Sequence, residues 1–93
     1  MTDIPDFHGP HVDPPLPGHI KLTWYEPTGR VPRVRVVSHT CECRETTYEL
    51  CAAAGRGFVR RTDRVEENVR EIAWTSIATA TRIFHQIMHG EAR

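Results

Sequence analysis

The ten residues "TTYELCAAAG", 46–55, decide the fold of this chain because their pattern admits two local structures. In a strand, large apolar side chains would alternate with small or polar ones. In a helix, Thr46 and Glu49 would form a capping box, in which the two side chains satisfy the first amides. Three alanines favour helical backbone, and Gly55 stands where a glycine ends many helices. These signals favour a short helix over 47–54, and the strand remains the alternative.

The sequence before this stretch predicts an antiparallel hairpin. Apolar and polar residues alternate in "HIKLTWYEP", 19–27, which indicates a half-buried strand. The segment "EPTGR", 26–30, has the proline and glycine of a tight turn, and "RVRVVSHTCEC", 33–43, follows as a second strand. A bulge near Val36–Val37 is an alternative to unbroken alternation, and it would turn the following side chains toward the core.

The sequence after this stretch predicts a third strand and a long helix. "RGFVRRTD", 56–63, has the pattern of a short strand flanked by arginines. From Asp63, which can cap a helix, an apolar stripe with spacings of three and four residues continues toward Gly90, which ends it. A helix of about 26 residues is about 40 Å long. Because its own sheet cannot cover that length, we expect a homodimer contact through five residues of the stripe: Ala73, Ile77, Ala80, Phe84 and Ile87.

Together these elements predict an α+β fold, with a small antiparallel sheet of about three strands, a short helix and one long C-terminal helix. Residues 1–18 hold five of the seven prolines and are expected to form a disordered or extended tail. Residues 19–93 then make up a single domain. A 93-residue chain with 39% hydrophobic residues has a marginal core, so we expect a metal, a disulfide or a partner subunit to stabilise it.

All three cysteines lie between residues 41 and 51, close to a histidine. The four residues satisfy the ligand count of tetrahedral zinc, although one-residue spacing on a strand spreads ligands apart; they are His39, Cys41, Cys43 and Cys51. One alternative is a dithiol in which Cys51 pairs with Cys41 or Cys43 under oxidising conditions. Another is that small, polarisable side chains fill the junction between strand and helix. Zinc is an optional cofactor on this interpretation, and no other cofactor is indicated.

The chain has no net charge, but its middle is basic. Residues 30–64 hold eight arginines and four acidic residues, a net charge of +4, whereas 1–29 carry −3 and 65–93 carry −1. Guanidinium groups suit phosphate and carboxylate recognition, and an arginine excess is also typical of a GC-rich genome. The residues expected to contact an acidic protein or a nucleic acid are Arg56, Arg60, Arg61 and Arg64.

The sequence favours a non-enzymatic function. It contains no nucleophile elbow, phosphate loop or Ser/His/Asp set at a spacing that would assemble them. No stretch approaches the ~20 apolar residues of a membrane span, and the first residues lack a secretory signal, so we expect a soluble cytoplasmic protein with no membrane partner. The favoured function is a small interaction or regulatory module that self-associates. The alternatives are a nucleic-acid-binding protein that uses residues 56–64 and a small zinc-stabilised domain.

The chain also resembles a group of bacterial proteins. The run "CECRETTYELCAAAGRGFVRRT", the "AW" of the C-terminal segment and the ending "HGEAR" are similar to short Arg-rich proteins encoded in Streptomyces-type actinobacterial genomes. The resemblance covers residues 38–93. It implies an intracellular bacterial setting and supplies no catalytic residue.

Overall fold

The computed structural model describes residues 10–27 and 33–93, and these residues form one sheet packed against one helix. The strands and the helix, in chain order, are β1 (Arg35–His39), β2 (Thr46–Ala53), β3 (Arg56–Asp63), β4 (Asn68–Glu71) and α1 (Ile77–Met88). Strands that follow one another in the chain are neighbours in the sheet and run antiparallel. The predicted α+β class is confirmed, and the sheet has one strand more than expected.

The stretch that admits two local structures is a strand. The helix predicted over 47–54 is wrong, because β2 pairs with β1 on one edge and with β3 along its whole length on the other. These ladders satisfy the backbone groups that a helix would satisfy internally. Ala54 and Gly55 connect β2 to β3 with φ values of 52° and 76°. Positive φ at both central residues is the requirement of a type I′ turn, so Gly55 serves a hairpin and not a helix end.

The strand predicted over 56–63 is confirmed as β3, and its glycine sets how closely the helix approaches. A Cβ atom on Gly57 would lie 2.8 Å from Cα of Ile77 and 3.0 Å from Cβ of Ala80. Such contacts are too short for a side chain, so glycine is required where α1 crosses β3. Beyond this crossing, the helix and the two central strands bury a common apolar core that includes Leu50, Val59, Phe84 and Ile87.

The long helix predicted from Asp63 toward Gly90 is wrong, since α1 has 12 residues. The Asp63 carboxylate accepts the amides of Val65 and Glu66 at 2.9 and 3.1 Å, but these bonds close a turn that leads into β4. The side chain of Ser76 caps α1 by accepting the amide of Thr79 at 3.1 Å. An aspartate side chain that accepts the amides two and three residues later can begin either a turn or a helix. Here the pairing of β4 with β3 favours the turn. No helix in the described residues has the length and apolarity to cross a bilayer.

The predicted N-terminal hairpin is also wrong in its pairing. Within 19–27, Ile20 forms a bridge with Ala92 and Tyr25 with Glu71, whereas β1 pairs with β2. Most of the predicted turn over 26–30 lies outside the described residues. The bulge alternative is confirmed in the register of β1, which shifts between Val36 and Ser38. The inward turn expected from it is seen at Cys41, whereas Val37 and His39 are exposed. Residues 19–27 therefore lie along the edge of β4 and beside the C-terminal residues.

Residues 10–18 of the predicted tail lie along the C-terminal end of the fold, and residues 1–9 lie outside the described part. The amide of Asp13 donates to the carbonyl of Met88 at 2.9 Å, and the amide of Leu16 donates to that of Gly90 at 2.8 Å. The amide of Ile20 donates to the carbonyl of Glu91 at 2.9 Å. This path brings the N-terminal segment beside the connection between β1 and β2.

Candidate metal centre

The connection between β1 and β2 turns its first cysteine inward. The amide of Thr40 donates to the Tyr48 carbonyl at 2.9 Å, and the Thr40 hydroxyl accepts the Tyr48 amide at 3.0 Å. The Cys41 amide then donates to the carbonyl of Pro10 at 2.9 Å. Thr40 and Cys41 are both 1% exposed. We call this junction of residues 10–13 with residues 40–45 the cysteine corner.

Three metal-ligating side chains meet in the cysteine corner. A ring nitrogen of His11 and the Sγ atoms of Cys41 and Cys43 all lie within 4.8 Å of one another. The two sulfur atoms are 3.0 Å apart, and the Cys43 sulfur is 3.3 Å from His11 Nε2. The amide of Cys43 also donates to the Cys41 sulfur at 3.4 Å. One imidazole nitrogen and two thiol sulfurs form a donor set that zinc prefers.

Two of the three spacings in the cluster can be compared with those around a tetrahedral ion. With Zn–S near 2.3 Å and Zn–N near 2.0–2.1 Å, tetrahedral angles give about 3.8 Å between sulfurs and about 3.6 Å between sulfur and nitrogen. The observed distances of 3.0 and 3.3 Å therefore need to open by less than about 1 Å. His11 and Cys43 are exposed and lie outside the strands, so this movement would fall on side chains at the surface.

The cluster is open on one side. His11 and Cys43 also line a cleft of about 760 Å³, together with Arg44, Tyr48 and Arg93. Cys41 faces the interior, whereas the other two ligands face the cleft. An ion held by these three protein ligands would keep its fourth position available to water or to an added ligand.

Two of the four residues predicted as zinc ligands lie in the cluster and two do not. His39 is on β1, where its Nδ1 atom is 2.9 Å from the carbonyl of Thr40. Cys51 is fully buried in β2, and its thiol points to the carbonyl of Glu49 at 3.9 Å. Burial raises the pKa of the Cys51 thiol to about 11, with smaller contributions from Arg60, which lowers it, and from Glu49, which raises it. The raised pKa makes loss of the proton to a metal ion harder, and Cys51 also lies outside the group of three ligand atoms.

His11 is the ligand that the sequence pattern does not reveal. It lies far before Cys41 in the chain, outside the segment 39–51 that contains the cysteines. A count of histidines over the whole chain would include it, but six histidines offer no reason to prefer this one. Its place depends on the hydrogen bonds that hold residues 10–18 along the C-terminal end of the fold.

The four arginines proposed for an acidic partner do not share one surface. Arg60 forms an ion pair with Glu49 at 2.7 Å, while the guanidinium of Arg61 lies 4.7 Å from the ring centroid of Trp24. Consecutive residues of a strand point to opposite faces, so these two arginines are separated by the sheet. Arg64 donates to the carbonyl of Arg44 at 2.7 Å, and Arg56 is exposed at the start of β3. Contact with a nucleic acid or an acidic protein stays a prediction.

The residues proposed for self-association divide between the core and the surface. Ala80, Phe84 and Ile87 are buried against the sheet of their own chain. Ile77 is 41% exposed, and Ala73 is exposed before the helix begins. The surplus of apolar helix that motivated the homodimer is absent from the shorter α1. Self-association itself stays a prediction.

Comparisons with family profiles, with characterised proteins and with solved structures find no match to this chain. The geometry of the cysteine corner therefore carries the functional argument by itself.

Proposed function

We propose that the protein is a small zinc-binding module whose ion is held by His11, Cys41 and Cys43. The observation that supports this proposal is the meeting of three ligand atoms, from two segments far apart in the chain, within 4.8 Å. An imidazole and two thiols make up the donor set of many zinc sites.

The donor set explains why zinc is preferred to a hard cation. Magnesium and calcium select oxygen ligands, whereas thiolates and imidazoles select zinc and other softer ions. Each cysteine loses its proton when it binds, so two thiolates balance the charge of Zn²⁺. The centre is then neutral, which suits the burial of Cys41.

Binding would fasten the N-terminal segment to the sheet. The hydrogen bond from the Cys41 amide to Pro10 is a backbone link between the two segments at this point. An ion that joins His11 to Cys41 and Cys43 adds a second, stronger tie across the same junction. Residues 13–22 form hydrogen bonds with the C-terminal residues, and Tyr25 forms them with Glu71. The ion would therefore also hold in place the segment that runs past the end of α1 and along β4. In this proposal the ion ties the two segments together, and its fourth position stays available to water or to an added ligand.

The test is the metal content of protein purified without an affinity tag, measured by elemental mass spectrometry, followed by cobalt substitution. We expect one zinc per chain, and thiolate-to-cobalt charge-transfer absorption after exchange. His11→Ala and Cys43→Ala should lose both signals. The matched controls are His39→Ala and Cys51→Ala, which should keep them. A metal-free wild-type protein that also fails to take up added zinc would contradict the proposal, as would loss of binding in His39→Ala.

A further inference from the structure

The two thiols of the cysteine corner are close enough to react with each other. Their sulfur atoms are 3.0 Å apart, and a disulfide bond of about 2.05 Å needs an approach of about 1 Å. A single residue, Glu42, separates the two cysteines in a turn, so both sulfurs lie on the same side of the chain. Cys43 is exposed beside the 760 Å³ cleft, which admits small solutes to its sulfur.

We propose that Cys41 and Cys43 form a site of reversible oxidation, which hydrogen peroxide or a related hydroperoxide converts to an intramolecular disulfide. The further consequence, release of the ion, rests on the proposed function. The oxidation itself does not, because it needs the two thiols alone.

The chemistry proceeds in two steps. The Cys43 thiolate attacks one peroxide oxygen, the O–O bond breaks, and the products are a Cys43 sulfenic acid and a hydroxide that takes a proton to become water. The Cys41 thiolate then attacks the sulfenic sulfur, the S–S bond forms, the S–O bond breaks, and the departing hydroxide takes a proton to become a second water. In sum, two thiols and one hydrogen peroxide give one disulfide and two waters, and the two sulfur atoms lose two electrons.

The disulfide removes two of the three ligands. Its sulfur atoms are neutral and bind zinc poorly, so His11 alone would face the ion. The tie that the ion makes between residues 10–13 and residues 40–45 is then lost, whereas the hydrogen bond from the Cys41 amide to the Pro10 carbonyl remains. Oxidation at this site therefore loosens the N-terminal segment while β2 and β3 stay paired.

Cys51 provides a bystander thiol in the same chain. It is fully buried at the centre of the sheet, and burial raises its pKa to about 11. Oxidation follows thiolate character and exposure, so Cys51 should react far more slowly than Cys43. It also lies outside the group formed by His11, Cys41 and Cys43.

The experiment treats the full chain with stoichiometric hydrogen peroxide, in zinc-loaded and metal-free form, and maps the thiols after trypsin. Cleavage after Arg35, Arg44 and Arg56 leaves Cys41 and Cys43 in the peptide 36–44 and Cys51 in the peptide 45–56. We expect peptide 36–44 to lose two hydrogens in wild type and in Cys51→Ala, and dithiothreitol to restore them. A chromogenic indicator should report one zinc released per disulfide. The Cys43→Ser variant should form no intramolecular disulfide.

The possible outcomes separate this inference from the proposed function. A chain that binds zinc but keeps peptide 36–44 reduced in both forms overturns the oxidation site alone. A chain that binds no zinc but forms the disulfide in peptide 36–44 supports the oxidation site and overturns the proposed function. Disulfides that include Cys51, or that join two chains, contradict the pairing proposed here.

Discussion

The β2–β3 hairpin and the cysteine corner are held together in different ways. The hairpin pairs Thr46–Ala53 with Arg56–Asp63 in consecutive positions along both strands, joined by a two-residue turn. The corner joins segments that are far apart in the chain, through a backbone bond from Cys41 to Pro10. The hairpin therefore depends on contacts that are local in the chain, whereas the corner depends on a distant contact that an ion can strengthen.

The largest effect is expected from a break in the hairpin core. Phe58 is 1% exposed and stacks on Trp74, with ring centroids 4.7 Å apart. Phe58→Ala removes this packing and leaves a cavity, so the free energy of unfolding should fall by about 3–5 kcal/mol. Urea unfolding followed by circular dichroism measures the loss. The control is Val65→Ala in the turn before β4, where the side chain is 66% exposed and a change below about 0.5 kcal/mol is expected. Equal losses in the two variants would contradict the assignment of the core.

The next effect separates the corner from the hairpin. Zinc at about 100 times its dissociation constant should raise the free energy of unfolding by about 2.7 kcal/mol, because it binds the folded chain. We expect this gain in wild type and in His39→Ala, and no gain in His11→Ala. Urea unfolding with buffered zinc measures the difference. A full gain in His11→Ala would show that the ion binds elsewhere.

Hydrogen exchange sharpens the same comparison residue by residue. A chelator should speed exchange at the amides of Asp13 and Leu16, which bond to Met88 and Gly90. The amides of Leu50 and Val59, in the paired central strands, should exchange as before. Faster exchange at all four amides would mean that the ion stabilises the whole fold and not the corner in particular.

The sequence predicts those elements of the fold whose signals are local and unopposed. Residues 56–63 hold a short apolar pair flanked by arginines and carry no helix signal, and they are β3. Residues 46–55 hold a capping pair and three alanines, yet pairing on both edges of β2 outweighs them. Asp63 is the cap that the pattern predicts, but β4 pairs with β3 after it, and the helix begins only after Ser76. Where two local structures compete, contacts made far along the chain decide.

The candidate site follows the same rule. The sequence places Cys41 and Cys43 together because they are neighbours, and it offers His39 and Cys51 because they are close in the chain. In the fold, His39 on β1 and Cys51 on β2 lie outside the group of three ligand atoms. His11 enters through the bonds of residues 10–18 to the C-terminal end, which no periodic pattern indicates. The choice of His11 as a ligand thus depends on the path of residues 10–18 through the fold, and this segment has no regular secondary structure to predict it from.

A smaller effect arises inside the hairpin at high pH. Burial raises the pKa of the Cys51 thiol from 9.0 to about 11. Between pH 9 and pH 11 the Cys51 thiol loses its proton in the unfolded chain and keeps it in the folded chain. The contribution of this thiol to the free energy of unfolding is therefore fully present below pH 9 and decreases as the pH rises toward 11. At pH 10 the loss should be about 1 kcal/mol relative to pH 8.

Cys51→Ala provides the control for this pH dependence. The variant lacks the buried thiol, so its own decline between pH 8 and pH 10 should be smaller than that of wild type by the same amount. Denaturant unfolding of both proteins at the two pH values measures it. Tyr48, whose pKa burial also raises, titrates in both proteins and cancels in the comparison. Parallel declines would show that Cys51 meets solvent in the folded chain.

The smallest effect concerns the turn that closes the hairpin. Ala54 has a φ of 52°, in the left-handed region where a Cβ atom is strained, and the residue is exposed. Asparagine tolerates this conformation, and Asn-Gly is the preferred pair for a type I′ turn. Ala54→Asn should therefore raise the free energy of unfolding by about 0.5 kcal/mol. The gain should be the same with zinc or with a chelator, because the turn lies in the hairpin and the proposed ion site lies in the corner. A gain that appears with zinc alone would mean that the two regions unfold as coupled parts and are not held independently.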